Sequence, residues 1–207
     1  SHFIYMEETR AEEYLGTKAL VIELVKVFLL AVVIIIPVRI FLFQPFFVQG
    51  SSMEPNFEDG QYLIVSELGY KQVRFGSTKE APLILSDFRD LARQEAIVFR
   101  YPKKPDQFFI KRLIGLPGET IEIKNNQVII KNNERPEGFV LKESTYVLRD
   151  ATLENMSPRT LREDEYFVMG DNRDFSYDSR AFGPVGKEFI MGRVMLRAWP
   201  FGEAKVF

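Results

Sequence analysis

The apolar stretch "ALVIELVKVFLLAVVIIIPVRIFLF", Ala19 to Phe43, constrains this chain more than any other feature. Val27 to Ile36 contains no polar residue. A helix built from it has no polar stripe to turn toward water. A membrane-crossing helix needs about 20 mostly apolar residues, and 19–43 supplies them, with Glu23 and Lys26 near the start. Pro37 and Arg39 then mark a kink or the far interface, where a long basic side chain reaches the headgroups. Two rivals are weaker. A buried helix of a soluble domain would show some polar face. A cleaved leader ending near Val48-Gln49-Gly50 would be unusually long and interrupted by Pro37, Arg39 and Gln44. The expectation is an uncleaved single-pass anchor over 19–43. Arg10, Lys18 and Lys26 precede or open the span, whereas Arg39 is the last basic residue until Lys71. That asymmetry puts segment 1–18 inside and segment 44–207 outside. The leader "SHFIY" (1–5) ahead of Met6 reads as a cloning remnant or as native sequence.

Beyond the anchor the patterning becomes β. "QYLIV" (Gln61–Val65), "AIVFRY" (Ala96–Tyr101) and "FFIKRLIGL" (Phe108–Leu116) are short runs rich in β-branched and aromatic residues. Pro117-Gly118 closes the third with turn chemistry. "TIEIKNNQVIIK" predicts a hairpin, because Asn125-Asn126 tolerates the positive φ of a two-residue turn. "EYFVMG" (Glu165–Gly170) and "GRVMLRAWP" (Gly192–Pro200) predict further strands, and "LSDFRDLARQ" (85–94) a short inserted helix. The predicted fold class is mostly β: one transmembrane helix followed by an antiparallel β-sheet domain over 44–207.

Composition narrows the chemistry. Net charge is −2 with no basic tail, which argues against nucleic acid as a partner. The absence of cysteine excludes a thiolate nucleophile and a disulfide framework, and is compatible with an oxidising compartment. "VQGSSMEPNFEDG" (Val48–Gly60) carries two serines in a predicted bend, yet the single histidine, His2, precedes the anchor. A Ser-His-Asp triad is therefore out of reach. A lysine can replace the histidine if desolvation leaves it neutral. Lys111, flanked by Phe109, Ile110, Leu113 and Ile114, is the outstanding choice, against the plainer reading of a lysine on a solvated strand face. "GDNRDFSYDSRAFG" (Gly170–Gly183) concentrates aspartates and arginines in one loop. Its Asp171, Asp174 and Asp178 do not match EF-hand spacing, so a loop tied by aspartate–arginine pairs is the simpler reading.

Taken together, "GSSMEPNF", "FFIKRLIGLPGE" and "GDNRDFSYDSRAFGP" occur in the order and context of the bacterial type I signal peptidases, and the chain resembles that family from the anchor to about Trp199. The resemblance implies that Ser52, directly before Met53, is the nucleophile, and Lys111 the general base. It implies that Ser176 orients the lysine, that Asp178 and Arg180 brace the site, and that Arg112 is structural. The oxyanion would be held by the backbone N–H of Ser52; Gly50 stands where some members supply a second donor as a hydroxyl. Val48, Met53, Phe109 and Ile110 are the expected lining of shallow apolar substrate pockets. The sequence departs from the family at Gln94–Val98, where "QEAIV" replaces "GDIV", and at Phe175, where asparagine is usual.

The same resemblance implies a serine endopeptidase of the bacterial cytoplasmic membrane, its catalytic domain on the outer face, cutting signal peptides from secretory preproteins after small residues. The lipid bilayer and a secretion translocon would be partners; no metal or organic cofactor is required. A specialised pilin- or conjugation-factor-processing peptidase would share the dyad. A catalytically silent, tethered binding module would have lost Ser52 or Lys111. Protease added outside spheroplasts is expected to digest the domain after Gln44 and spare residues 6–18; protection of the whole C-terminal domain would overturn the orientation.

Overall fold

The computed structural model describes residues 18–35, 43–70, 89–148 and 150–207. The chain divides into two compact units, residues 1–42 and 43–207.

In the first unit, residues 18–35 form helix α1, exposed along nearly its whole length. Lys26 Nζ donates to Glu23 Oε1 at 2.9 Å on its surface. Among the described residues no helix is long and apolar enough to cross a membrane. Lys18, Glu23 and Lys26 put three charges into the described stretch. The rest of the expected anchor, including Pro37 and Arg39, lies outside the described residues, as do "SHFIY" and Arg10.

The second unit is built from strands β1 Phe43–Phe47, β2 Tyr62–Ser66, β3 Ala96–Tyr101, β4 Lys104–Gly115, β5 Thr120–Lys124, β6 Gln127–Lys131, β7 Phe139–Val140, β8 Met156–Thr160, β9 Glu165–Met169, β10 Val185–Gly186, β11 Ile190–Trp199 and β12 Lys205–Val206. One sheet runs β1-β2-β11-β3-β4-β9-β10, with β12 added to β11; a second runs β7-β6-β5-β8. The paired strands are antiparallel throughout. The predicted hairpin is β5–β6, and Asn125 and Asn126 take φ of 52° and 61° at its turn. The predicted helix over 85–94 does not hold where it can be read. Residues 89–94 are irregular with one turn, and 85–88 lie outside the described residues.

The run "AIVF" reads as continuously apolar because β3 is buried on both faces. Ala96 and Val98 pack with Val48, Met53, Phe57, Leu63, Val65 and Val194. Ile97 and Phe99 pack with Leu113, Val168, Val185 and Ile190. A third cluster, around Ile121, Ile123, Val128, Ile130, Phe167 and Met169, joins the small sheet to the large one. β4 lies between β3 and β9, with Lys111 opposite Ile97 and Arg112 opposite both Ala96 and Met169. A residue on β4 therefore inherits a rigid position from both neighbours.

Gly192 shows how closely the large sheet packs. A Cβ there would overlap the Ser66 carbonyl oxygen on β2, whereas one at Gly202 meets nothing within 4 Å. Overpacking of this kind costs about 1–3 kcal/mol. Gly192→Ala is expected to lower the melting temperature of the protein measurably and Gly202→Ala to leave it unchanged; equal melting temperatures would contradict this reading of the β2–β11 contact.

Candidate active site

The serine turn is anchored from below. Gly50 takes φ +84°, a conformation that L side chains rarely adopt. The chain then folds back through bonds from Glu54 N to Ser51 O (3.1 Å) and from Asn56 N and Phe57 N to Met53 O (3.0 and 2.9 Å). Met53 and Phe57, 1% and 0% exposed, plug the turn into the core. Ser51 is left exposed and Ser52 half-buried. Among the described residues no acceptor takes the Ser52 N–H, which is thus available to a ligand. The Gly50 N–H is not available, because it donates to Asp59 Oδ1 at 2.7 Å. Gly50 therefore offers no second oxyanion donor in this structure.

β4 brings Lys111 to that turn. Lys111 is 4% exposed, and its Nζ donates to Ser52 Oγ at 2.5 Å. The ammonium lies 5.6 Å from the centre of the Phe109 ring. Burial pushes the Lys111 pKa down, Asp178 and Asp171 pull it up, and Arg180 pushes it down, leaving it at about 8. The neighbouring Arg112 turns the other way. It forms a two-pronged pair with Asp171 through Nε (2.8 Å) and Nη2, and donates Nη1 to Gln94 O at 2.9 Å. Its guanidinium lies 4.7 Å from the centre of the Tyr146 ring. Arg112 thus ties β4 to Asp171 and to the Gln94 carbonyl, and the cation that acts on Lys111 is Arg180.

The loop after β9 clasps both pieces. Asn172 donates its N–H to Ser52 O and its Nδ2 to Ser51 O, each at 3.1 Å. Asn56 Nδ2 bridges Asp171 Oδ2 (3.0 Å) and Tyr146 O (2.7 Å). Asp178 caps the short helix α2, Ser179–Phe182. Its carboxylate accepts from Gly170 N at 2.9 Å and from Arg180 Nε and Nη2, each at 2.8 Å. Burial raises the Asp178 pKa, but the Arg180 hydrogen bonds and charge, the Gly170 N–H and the nearby Ser176 hydroxyl outweigh it and hold the carboxyl below its usual range. Arg180 Nη2 also reaches Arg173 O at 2.8 Å. Ser176 Oγ is buried beside Asp178 without a hydrogen bond of good geometry, and no contact ties it to Lys111. Gly170 makes this packing possible, since a Cβ there would overlap Ser176 Oγ and Ser52 O. Sequence reasoning missed the roles of Asp171, Asn172, Asn56 and Gly170. The "GDNR" motif was the signal, but nothing in one dimension says which turn each side chain grips.

An apolar cleft of about 140 Å³ opens over the lysine–serine contact, lined by Phe46, Val48, Val98, Phe109, Ile110 and both contacting residues. It is small beside the roughly 300–1,000 Å³ of sites that engulf a drug-sized molecule. Val48, Phe109 and Ile110 line it as expected. Met53 does not: it is committed to the core beneath the turn. Among the described residues no cluster of three histidine or carboxylate side chains could hold a metal ion.

The chain is similar to known proteins over most of its length. Residues 21–199 match the family model "Signal peptidase, peptidase S26". Signal peptidase IB of Staphylococcus aureus strain Mu50 is 31% identical over 185 residues, 84% of this chain and 87% of its own. Signal peptidase I of Bacillus licheniformis is 33% identical over 199 residues, 94% of this chain and 97% of its own. A crystal structure of a signal peptidase I from Enterococcus faecalis V583 aligns at 30% identity over 51% of this chain and 97% of its own, with a TM-score of 0.41, and adds nothing to the assignment. From its sequence and its family model together, the chain belongs to the signal peptidase family, peptidase S26, of serine endopeptidases.

Proposed function

We propose that this protein is a membrane-anchored endopeptidase that removes signal peptides from secretory preproteins through a Ser52/Lys111 dyad. The observation that carries the reading is the 2.5 Å contact between Lys111 Nζ and Ser52 Oγ, made by a lysine buried enough to hold its pKa at about 8.

In this mechanism neutral Lys111 accepts the proton of Ser52, and Oγ attacks the scissile carbonyl. The Ser52 N–H faces the developing oxyanion, a contribution of about 3–4 kcal/mol per donor in hydrolases. Lys111 then gives its proton to the departing amine. A water deprotonated by the same lysine releases the acyl group and regenerates Ser52. Asp178 with Arg180 and Arg112 with Asp171 hold the loop around the base, Ser176 packs beside Asp178, and none of them touches a reacting atom. The substrate arrives as an extended strand along the exposed edge of β1. The small cleft favours small side chains just before the cut, with Val48, Phe109 and Ile110 as its walls.

Membrane attachment rests on the apolar segment 19–43, whose far half immediately precedes β1. Four residues separate β1 from Ser52. The bilayer, and a translocon delivering preproteins to the outer face of the cytoplasmic membrane, are the matching partners.

Ser52→Ala is expected to abolish cleavage of a detergent-solubilised precursor while leaving the melting temperature intact, and Ser51→Ala to retain substantial activity. The reverse pattern would refute the choice of serine.

An unperturbed lysine is neutral in about one molecule in 250 at pH 8; a lysine at about 8 is neutral in about half of them. Because the pKa is depressed, the active neutral form gains as pH rises through 8. Single-turnover acylation is expected to climb with a midpoint near pH 8 and to level off by about pH 9.5. Lys111→Arg is expected to be inactive, since a guanidinium stays charged. A rate still climbing at about pH 10.5 would mean an unperturbed base, and a near-normal Lys111→Arg enzyme would remove the lysine from the mechanism.

A further inference from the structure

A cavity of about 400 Å³ lies against the loop after β9. Ser176 and Arg180 form its inner end, and Glu154, Asn155 and Asp174 are among its outer walls. The apolar cleft, lined by Ser52 and Lys111, shares none of these residues. The loop that supplies Ser176 to the cavity also packs on the serine turn, since a Cβ on Gly170 would touch both Ser176 Oγ and the Ser52 carbonyl. The inner end of the cavity carries the buried hydroxyl of Ser176, which lies beside Asp178 without a hydrogen bond of good geometry.

The charges of the wall do not cancel. Both arginines are already matched: Arg173 by Glu143 through Nη1 and Nη2 (3.0 and 2.5 Å), and Arg180 by Asp178. Glu143 and Asp178 lie outside the cavity wall. Asp174 is exposed and is held by Thr152 through one oxygen, Oδ1. Glu154 is exposed and forms no ion pair among the described residues. Among the described residues, Glu154 and Asp174 therefore line the cavity without an ion pair of their own, while its two arginines are bound to carboxylates outside it.

We propose that this cavity is the subsite for the leaving side of the substrate, and that Glu154 and Asp174 favour a basic side chain in the first few residues after the cut. The inference rests on the endopeptidase function proposed for the Ser52/Lys111 site. A chain crossing Ser52 with its small residues in the apolar cleft must leave away from that cleft. The cavity behind Ser176 has both the room for a few residues and a polar wall to receive their backbone.

The test uses one precursor, with a neutral residue, lysine or glutamate at the second or third position after the cut. The full-length enzyme in detergent is expected to cleave the lysine form about 3- to 10-fold better in kcat/KM than the glutamate form, the range of one or two exposed ion pairs. The preference is expected to shrink as salt is raised. Glu154→Lys is expected to reverse the order of the two substrates. Because the ratio is taken within each enzyme, a general loss of activity does not disturb it. A ratio of one in the wild type, or a ratio that Glu154→Lys leaves unmoved, would overturn the inference. Failure of the wild type to cut even the neutral precursor would instead sink the endopeptidase reading.

Discussion

Everything around the site depends on keeping one lysine out of water. An ammonium at 4% exposure is unfavourable unless it is paired or discharged. Among the described residues no carboxylate pairs with it directly; its hydrogen bond goes to a neutral hydroxyl, Ser52 Oγ. The fold relieves the burial by lowering the pKa to about 8, so that near that pH the uncharged amine is readily reached. That choice dictates the environment. The lysine must sit on a strand held from both sides, as β4 is by β3 and β9. It must lean on an aromatic face, as it does on Phe109. Any nearby carboxylate must be occupied elsewhere.

Two carboxylates are nearby, and both are occupied. Asp171 is gripped by Arg112 and Asp178 by Arg180, each through two hydrogen bonds. A buried ion pair is a weak source of stability, but removing one partner strands the other charge, at about 3–5 kcal/mol. Their value here is electrostatic as much as mechanical. Asp178 and Asp171 pull the lysine pKa up, and Arg180 offsets part of that pull. The same side chains also fix geometry. Asp171 reaches Asn56 on the serine turn, and Asn172 reaches the carbonyls of Ser51 and Ser52. Charge balance and the placement of the nucleophile are thus one structure.

The alternating and twin-buried strands were legible because period-2 patterning is local: β3, β4, the β5–β6 hairpin, β9 and β11 all lie where their apolar runs predict. Lys111 stood out because charge in an apolar run is rare. The loop partners were not legible, because Asn172 and Ser51 are 121 residues apart and their hydrogen bond is tertiary. Met53 misled for a related reason. Its place beside the serine suggested a pocket wall, but a turn this tight needs a core anchor, and Met53 with Phe57 supplies it. Gln94 is similar. It takes φ 72°, a strained choice for a side chain. Its Nε2 bond to Lys142 O (2.8 Å) and its carbonyl bond from Arg112 hold it there.

Ser176 is the point at which these constraints are least settled in chemical terms. Its buried hydroxyl makes no hydrogen bond of good geometry but lies beside the Asp178 carboxylate and helps to hold it ionised. It is kept there by packing: Gly170 has no Cβ, so the Ser176 side chain and the Ser52 carbonyl share the space above that backbone. Ser176 also touches the two openings unequally, lining the polar cavity and standing apart from the apolar cleft. Gly170 thus sets the loop that carries Ser176 and Asp178 directly against the turn that carries Ser52, so the base's surroundings and the nucleophile are placed by one backbone contact.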